Sequence, residues 1–129
     1  MNEINIEWQQ RTELLLGKDK MKRLRHAHVL VVGLGGVGAY AAEMICRAGV
    51  GRMTIVDADI VQPSNINRQL PALHSAVGRP KAEILAERFR DINPVFGIDC
   101  IGGVSEKMSV FRNCWIVQNL ILWWMPLIR

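Results

Sequence analysis

Residues Val29 to Gly38 read VLVVGLGGVG and set the architecture of the chain. Residues 29–32 are apolar and three of them are valines, which predicts a short buried strand. Glycines then fill the three positions of a G-x-G-x-x-G turn, at Gly33, Gly35 and Gly38. After the turn, apolar residues at helical spacing predict a helix that ends at Ala48. The members of this apolar stripe are Val37, Ala41, Met44, Ile45 and Ala48.

This order of strand, glycine turn and helix is typical of a site for a phosphate compound. A glycine has no Cβ, so the backbone can approach a phosphate closely. The helix behind the turn begins with unpaired N–H groups and the positive end of its dipole, both of which attract anions. The stretch therefore predicts a nucleotide-binding site and leaves open which nucleotide binds.

A second predicted strand, at residues 53–56, leads directly into Asp57 and Asp59. Two strands separated by one helix imply a parallel pair with a right-handed crossover, so Asp57 should lie beside the glycine turn. A glycine turn followed about 20 residues later by an acid is the dinucleotide fingerprint, in which the acid binds ribose hydroxyls. One interpretation is therefore an NAD-binding oxidoreductase.

Polar and basic residues farther along the chain favour a triphosphate instead. Asn65 and Arg68 are spaced to share one face of a short helical turn, and Lys81 follows them. A nicotinamide dinucleotide has one diphosphate, which the glycine turn can bind alone. A triphosphate carries about four charges and needs cations as well as backbone donors. These residues therefore indicate ATP.

Lys81 lies in the first turn of a helix predicted over residues 81–92. A cation at this end of a helix opposes the helix dipole, by about 0.3–1 kcal/mol. An anion held between Lys81 and Arg79 would reverse that effect. The alternative is a lysine exposed to solvent, which screens the repulsion.

With a third strand predicted between residues 95 and 101, the chain is expected to be an α/β protein. We expect a Rossmann-like, doubly wound, mostly parallel sheet that is incomplete at its C-terminus. Residues 1–28 are predicted to be an N-terminal helical segment interrupted at Gly17, and residues 29–98 the first half of a Rossmann-like ATP-binding domain. Residues 99–129 form an atypical tail.

The composition fits one globular domain: 129 residues, half of them hydrophobic and 22% charged. The net charge of +4 suits a polyanionic partner, although the basic run at residues 18–25 is expected to be a solvated helix. Three cysteines without C-x-x-C spacing indicate neither a disulfide framework nor a zinc site, and Cys46 is expected to be buried. This cysteine usage favours a cytoplasmic protein. No signal-peptide pattern is present, and membrane association is not indicated.

Several motifs together resemble the adenylating family of the ubiquitin-activating type, which includes activating enzymes of the bacterial molybdopterin and thiamine pathways. The motifs are residues 29–38, 47–51 (RAGVG), 57–59 (DAD), 64–69 (SNINRQ) and 78–83 (GRPKAE). Residues 11–17 (RTELLLG) and 68–75 (RQLPALHS) most resemble the tRNA threonylcarbamoyladenosine dehydratase branch. The resemblance covers about residues 8 to 95.

The resemblance implies an ATP site and a role for each matching residue. Asp57 is implied to hold the ribose with Asp59 beside it, while Asn65, Arg68 and Lys81 contact the phosphates. The candidate nucleotide-binding residues are Gly33, Gly35, Gly36, Gly38, Asp57, Asp59, Ser64, Asn65, Arg68, Gln69 and Lys81. The candidate catalytic residues are Arg68, Lys81 and Arg11. Arg11 matches an arginine that reaches the ATP of a neighbouring subunit, which implies a homodimer.

The implied reaction is the attack of a substrate carboxylate on the α-phosphorus of ATP, which gives an acyl-adenylate. In the dehydratase branch the carboxylate belongs to a threonylcarbamoyl group on a tRNA adenosine, and its activation permits cyclisation with net loss of water. The alternative within the family is activation of the C-terminal carboxylate of a ubiquitin-like sulfur-carrier protein. The implied partner is therefore such a tRNA or such a carrier.

The resemblance ends near Ile98. Relatives carry an aspartate after the fourth strand that binds Mg²⁺, and no aspartate follows Asp99 here, so no metal ligand is assigned although Mg²⁺ is implied with ATP. We expect residues 99–129 to be the end of a truncated or frame-shifted chain, with a native short domain as the alternative. On this expectation the chain binds ATP weakly and turns over poorly, and a non-catalytic nucleotide-binding fragment remains open.

Overall fold

The structure is a computed structural model that describes residues 7–102 and 115–118. Within these residues the α-helices are α1 (Gln10–Leu16), α2 (Lys18–His26), α3 (Gly38–Ala48) and α4 (Lys81–Ile92). The β-strands are β1 (His28–Val32), β2 (Arg52–Val56), β3 (Gly97–Ile101) and β4 (Trp115–Gln118). Short 3₁₀ helices lie at Glu7–Gln9, Pro63–Asn65 and His74–Ala76. The predicted α/β class is confirmed.

The four strands form one sheet in the order β3-β2-β1-β4, and each neighbouring pair is parallel. Val29 in β1 pairs with Met53 on one side and with Trp115 on the other. Met53 in turn pairs with Ile98 in β3. This strand order is that of the first four strands of a Rossmann fold, which confirms the predicted fold.

The predicted tail contributes to this sheet. Residues 115–118 form β4, and the predicted boundary after residue 98 falls inside β3. Residues 103–114 and 119–129, to which most of the tail prediction applies, lie outside the described residues. The division into three segments, and the origin of the tail, therefore stay predictions.

The main core lies between one face of the sheet and helices α3 and α4. Val31 and Ile55 point to this side and have no exposed surface, since they pack among the residues of the two helices. Leu85 and Phe89 in α4 are equally buried, as the predicted helix over residues 81–92 requires. Leu30, Val56 and Ile101 belong to a smaller buried cluster, because alternate residues of a strand face opposite sides.

The buried face of α3 differs from the predicted stripe. Val37 and Met44 are exposed, whereas Ala39, Ala42 and Cys46 have no exposed surface. Small residues face the core because α3 starts in close contact with the backbone of β1, which leaves little room for larger side chains. Cys46 is buried as predicted, and desolvation raises the pKa of its thiol to about 11.

A buried carboxylate joins α3 to α4. Glu43 is 5% exposed and accepts hydrogen bonds from the guanidinium groups of Arg88 in α4 and Arg47 in α3. Its two oxygens lie 2.6 and 3.2 Å from Nε and Nη2 of Arg88. The hydrogen bond from Arg88 contributes most to lowering the pKa of the Glu43 carboxyl, and the bond from Arg47 lowers it further. The two helices are therefore held together by charge as well as by apolar packing.

The N-terminal helices meet at Gly17, where the predicted interruption occurs. Helix α2 is anchored by Met21, which is 1% exposed, and by its C-terminal backbone. The carbonyl of Leu24 accepts a hydrogen bond from Gly51 N, next to the start of β2. The lysines and arginines of α2 are exposed, as predicted for a solvated helix. None of the described helices combines the length and the apolar character that a membrane span requires.

Candidate nucleotide-binding site

The carboxyl end of β1 is the topological switch point of the sheet. From β1 the chain builds outward to β2 and β3, and β4 then pairs with the opposite edge of β1. Ligands of open α/β sheets bind in the crevice at such a point, outside the carboxyl ends of the strands. The glycine turn leaves β1 at this end, so the fold and the sequence motif locate the same site.

Two glycines of the turn are required by its geometry. Gly33 has φ of +89°, a left-handed conformation that side chains rarely adopt, and its N–H donates to the carbonyl of Val56, 2.8 Å away. A Cβ at Gly38 would overlap the carbonyl oxygen of Gly33. Helix α3 can therefore start this close to the end of β1 only with glycine at position 38.

Asp57 holds the glycine turn against the end of β2. Its Oδ2 accepts a hydrogen bond from the backbone N–H of Leu34 at 2.7 Å, and its Oδ1 accepts one from Asp59 N at 2.8 Å. Each carboxylate oxygen has further lone pairs for a ligand hydroxyl. Asp57 lies beside the glycine turn as predicted. Its contact with Leu34 was not predicted, because a backbone N–H gives no signal in sequence.

The N-terminus of α3 is available to an anion. Among the described residues, no side chain caps this helix, so its first N–H groups lack side-chain partners. A methyl group at Gly35 would lie 3.9 Å from Nε2 of Gln69, and one at Gly36 would lie 3.9 Å from Cγ of Arg68. The structure therefore brings Gln69 and Arg68 to the glycine turn.

The short helical turn at Pro63–Asn65 positions these side chains. Asn65 is 9% exposed, and its Oδ1 accepts a hydrogen bond from Gln62 N at 2.9 Å. The Asn65 carbonyl accepts bonds from the backbone N–H groups of Arg68 and Gln69. Asn65 thus uses its oxygen to hold the turn, which leaves its Nδ2 as the donor for a ligand.

Arg68 is exposed and its guanidinium is held by weak neutral acceptors. Its Nη1 donates to the carbonyl of Ser64 at 3.1 Å and to Oδ1 of Asn67 at 2.9 Å. Ser64 is exposed and contributes this backbone carbonyl. In the part of the chain that the structure describes, no donor reaches the buried Oε1 of Gln69. An unpartnered buried oxygen is expensive unless a ligand or water satisfies it.

Lys81 is buried, so the alternative of a solvent-exposed lysine is wrong. The residue is 5% exposed, and its Nζ lies 3.8 Å from Oδ2 of Asp59, whose side chain is mostly in solvent. Lys81 reaches this position because the backbone pairs across the loop. Lys81 N donates to the carbonyl of Asp59, and Ile60 bridges to Pro80. The spacing of residues in the sequence could not predict this pairing between distant segments.

Two arginines do not join this group. Nη2 of Arg79 lies 2.6 Å from Oε1 of Glu87 on the exposed side of α4, so the predicted anion site between Arg79 and Lys81 is not formed by this side chain. Arg11 is exposed on α1, and no hydrogen bond or ion pair of the described residues links it to the site. Its role would require another copy of the chain.

The arrangement has the groups that are needed to bind an anion. In residues 7–102 and 115–118, no three His, Cys, Asp or Glu side chains converge to hold a metal ion. Instead, backbone donors of the turn lie at the switch point with the side chains of Arg68 and Gln69, and Lys81 lies beside Asp59. The fold is that of a Rossmann-like domain, and the site has the features of one for a phosphorylated nucleotide.

Comparison with known proteins identifies the family. The model of the ThiF family matches residues 9–115, and the chain belongs to this family. It is 50% identical over 84 residues to the tRNA threonylcarbamoyladenosine dehydratase of Bacillus subtilis (strain 168), covering 65% of this chain and 33% of that protein. It is 47% identical over 116 residues to the Escherichia coli (strain K12) protein of the same name, covering 83% and 43%.

The fold comparison agrees with the sequence comparison. The crystal structure of E. coli tRNA N6-threonylcarbamoyladenosine dehydratase in complex with ATP matches with a TM-score of 0.72 and 43% identity. The match covers 77% of this chain and 42% of that one. The chain thus spans less than half of the length of these curated relatives, namely 33% and 43%. The family match continues past Ile98, where the sequence resemblance was expected to end.

Proposed function

We propose that this chain binds ATP at the carboxyl end of β1 and contributes to the adenylation of a carboxylate. The observation that carries the proposal is Lys81, a cation that is 5% exposed and has an ion-pair partner only at 3.8 Å among the described residues. A buried cation with so distant a counterion is destabilising unless an anion satisfies it. The phosphates of ATP are such an anion.

The other residues of the site fit a nucleoside triphosphate. The N–H groups at the start of α3 would bind one phosphate, and Arg68 and Lys81 would balance the charge of the others. Asp57 would accept hydrogen bonds from the ribose hydroxyls. Asn65 would supply a hydrogen-bond donor to the ligand, and Gln69 would supply an acceptor. As pyrophosphate leaves, cations placed in advance stabilise the charge that develops on it.

We propose tRNA carrying threonylcarbamoyladenosine as the substrate. Its carboxylate would attack the α-phosphorus of ATP, and the P–O bond to pyrophosphate would break. The activated carboxyl group then cyclises with release of AMP, for a net loss of water from the nucleoside. The name of the relatives at 47–50% identity supports this substrate over a sulfur-carrier protein.

The assembly is proposed to be a homodimer in which Arg11 reaches the ATP of the other copy. Leu14 and Leu15 follow Arg11 on α1 and are 85% and 83% exposed. Two adjacent leucines in water are unfavourable, and a second copy of the chain would cover them. We further propose that Mg²⁺ enters with ATP, bound mainly by the phosphates, and that the protein acts in the cytoplasm.

A single-turnover assay tests the proposal. The chain in excess is mixed with ATP, Mg²⁺ and tRNA that carries threonylcarbamoyladenosine, and pyrophosphate and the mass of the nucleoside are measured. We expect ATP-dependent pyrophosphate release and a nucleoside lighter by one water. Excess protein makes slow turnover visible.

Parallel reactions separate the alternatives. If pyrophosphate is released with the C-terminal peptide of a sulfur-carrier protein but not with tRNA, the chain activates a sulfur carrier instead. Binding of NAD in preference to ATP, with no release from either substrate, would contradict adenylation. Arg68→Ala should abolish release, whereas Arg90→Ala, which changes an exposed arginine at the far end of α4, should leave it unchanged.

A further inference from the structure

The net charge of the chain is concentrated in one helix. Helix α2 contains five lysines and arginines and one aspartate in nine residues, a net charge of +4. The whole chain has 16 basic and 12 acidic residues, also a net charge of +4. Outside α2, eleven basic residues are therefore balanced by eleven acidic ones.

Among the described residues, the cations of α2 form no ion pair with another side chain. They are Lys18, Lys20, Lys22, Arg23 and Arg25, and all five are exposed. The ion pairs among the described residues use other cations, namely Arg47, Arg52, Arg79, Lys81 and Arg88. The apolar residues of α2 are Met21, which is buried, and Leu24, which is half-buried, so the helix presents charge to solvent.

Helix stability explains only part of this charge. Arg23 and Arg25 lie in the last turn, where cations favour the helix dipole. Lys18 and Lys20 lie in the first turn, where each opposes the dipole by about 0.3–1 kcal/mol. Asp19 offsets one of them. An external polyanion along the helix would satisfy cations of α2 that are exposed to solvent.

The position of α2 indicates the size of that polyanion. The carbonyls of Leu24 and Ala27 accept hydrogen bonds from Gly51 and Arg52, at the amino end of β2. The nucleotide site lies at the carboxyl end of the same sheet, across five-residue strands that rise about 3.3 Å per residue. A nucleotide in the site cannot also contact α2, whereas a folded RNA can span both.

We propose that α2 is a phosphate-binding surface for the tRNA substrate, separate from the nucleotide site. The identity of the RNA as tRNA rests on the proposed function, whereas the polyanion surface rests on the charge of α2. Exposed lysines and arginines without intramolecular partners bind the RNA backbone without reading its sequence. The surface therefore contributes affinity and salt dependence, and selection of the modified adenosine stays with the site.

An anionic membrane is less consistent with this geometry. A helix that lies on a membrane inserts an apolar face opposite its basic face, and the apolar residues of α2 face the protein. The exposed Leu14 and Leu15 belong to α1, on the other side of Gly17. Vesicles are therefore a necessary comparison in the test.

The test measures binding of an unmodified tRNA transcript by the full chain at several salt concentrations. The matched pair is Arg23→Gln and Arg90→Gln, because both are exposed arginines in the last turn of a helix. Arg23→Gln should reduce the slope of log K against log salt by about 0.7–0.9. Arg90→Gln should leave it unchanged. The triple variant Lys18→Gln/Lys22→Gln/Arg23→Gln should reduce the slope by about 2 to 3.

Three results would overturn the proposal. The triple variant could bind tRNA with the affinity and slope of the wild type, the wild type could fail to bind tRNA at low salt, or phosphatidylglycerol vesicles could bind through α2 in place of tRNA. An ATP titration of the same variants separates this inference from the proposed function. If ATP fails to bind while tRNA binding still depends on α2, the proposed function fails and the surface stands.

Discussion

The glycine turn at residues 33–38 and the polar segment at residues 59–81 serve one site by different means. The turn is held through its own backbone N–H groups: Gly33 N donates to the carbonyl of Val56, and Leu34 N donates to the carboxylate of Asp57. The polar segment depends on side chains and on pairing across a loop, which places Lys81 beside Asp59. Under the proposed function, the turn would bind a phosphate of any nucleotide, and the polar segment would select ATP.

The two regions also differ in how they relate to stability. Changes in the turn act on the backbone frame of β1, β2 and α3, so they should disturb folding and binding together. We expect the fold not to depend on the side chains of Lys81 and Arg68. Their loss should therefore weaken ligand binding without lowering stability. The following predictions test this difference, from the largest expected change in the free energy of unfolding to the smallest.

Gly38→Ala should have the largest effect. The added Cβ overlaps the carbonyl oxygen of Gly33, so α3 must move away from β1, at a cost of about 3 kcal/mol or more. Gly35→Ala is the matched control, because its methyl group would lie 3.9 Å from Gln69 and is tolerated. Urea unfolding should separate the two variants. Equal stability of both would show that close packing at Gly38 is not required.

Asp57→Asn should lower stability by about 1.5–3 kcal/mol, since a charge-assisted acceptor of two backbone N–H groups is lost. Thermal unfolding measures this change. Asp91→Asn, at an exposed position near the end of α4, is the control. An unchanged stability of Asp57→Asn would mean that the carboxylate serves only a ligand.

The pair Glu43–Arg88 links the helices that start at the two regions and should have a smaller effect. Its hydrogen bonds lower the pKa of Glu43 in the folded state below the ordinary value of 4.5. A lowered folded-state pKa stabilises the protein above the unfolded-state pKa, and this contribution is lost as the pH falls through the folded-state value. Stability should therefore decrease as the pH falls from about 5 to 3.

Glu43→Gln tests the origin of that decrease. This variant should be about 1–2 kcal/mol less stable at pH 7 and should lose less stability on acidification. Denaturant unfolding at pH 7, 5 and 3 gives both quantities. If the acid profiles of variant and wild type coincide, the Glu43–Arg88 pair does not account for the loss.

Lys81→Met should change stability by less than about 1 kcal/mol, or increase it, because an apolar side chain of similar length replaces a buried charge. ATP binding should be lost at the same time. A large destabilisation would show that Lys81 is needed for folding. The glycine turn and the polar segment would then not differ in their relation to stability.

The sequence predicted the frame better than the site. The strand at Val29, the helix over residues 81–92 and the glycine turn followed from local periodicity and from the conformational freedom of glycine, which are properties of short stretches. The buried face of α3 was misassigned, because packing distance and not hydrophobicity puts Ala39 and Ala42 against the sheet.

The site was harder to predict, because it is formed by contacts between segments that are distant in the chain. The spacing of residues in the sequence does not encode such contacts. Asp57 was placed beside the glycine turn by the topology of a parallel pair, and this placement is confirmed. Lys81 is buried because the bridge between Ile60 and Pro80 brings the start of α4 to the loop. Arg79 pairs instead with Glu87, which lies on the exposed side of α4. The roles of these residues toward ATP stay predictions.

A calorimetric titration of the wild type and of Lys81→Met with ATP–Mg²⁺ and with NAD measures whether Lys81 selects the triphosphate. We expect the wild type to bind ATP at least about tenfold more tightly than NAD, a difference of about 1.4 kcal/mol. Lys81→Met should remove this preference while the protein stays folded. Tighter binding of NAD by the wild type, or an unchanged preference for ATP in Lys81→Met, would contradict the account.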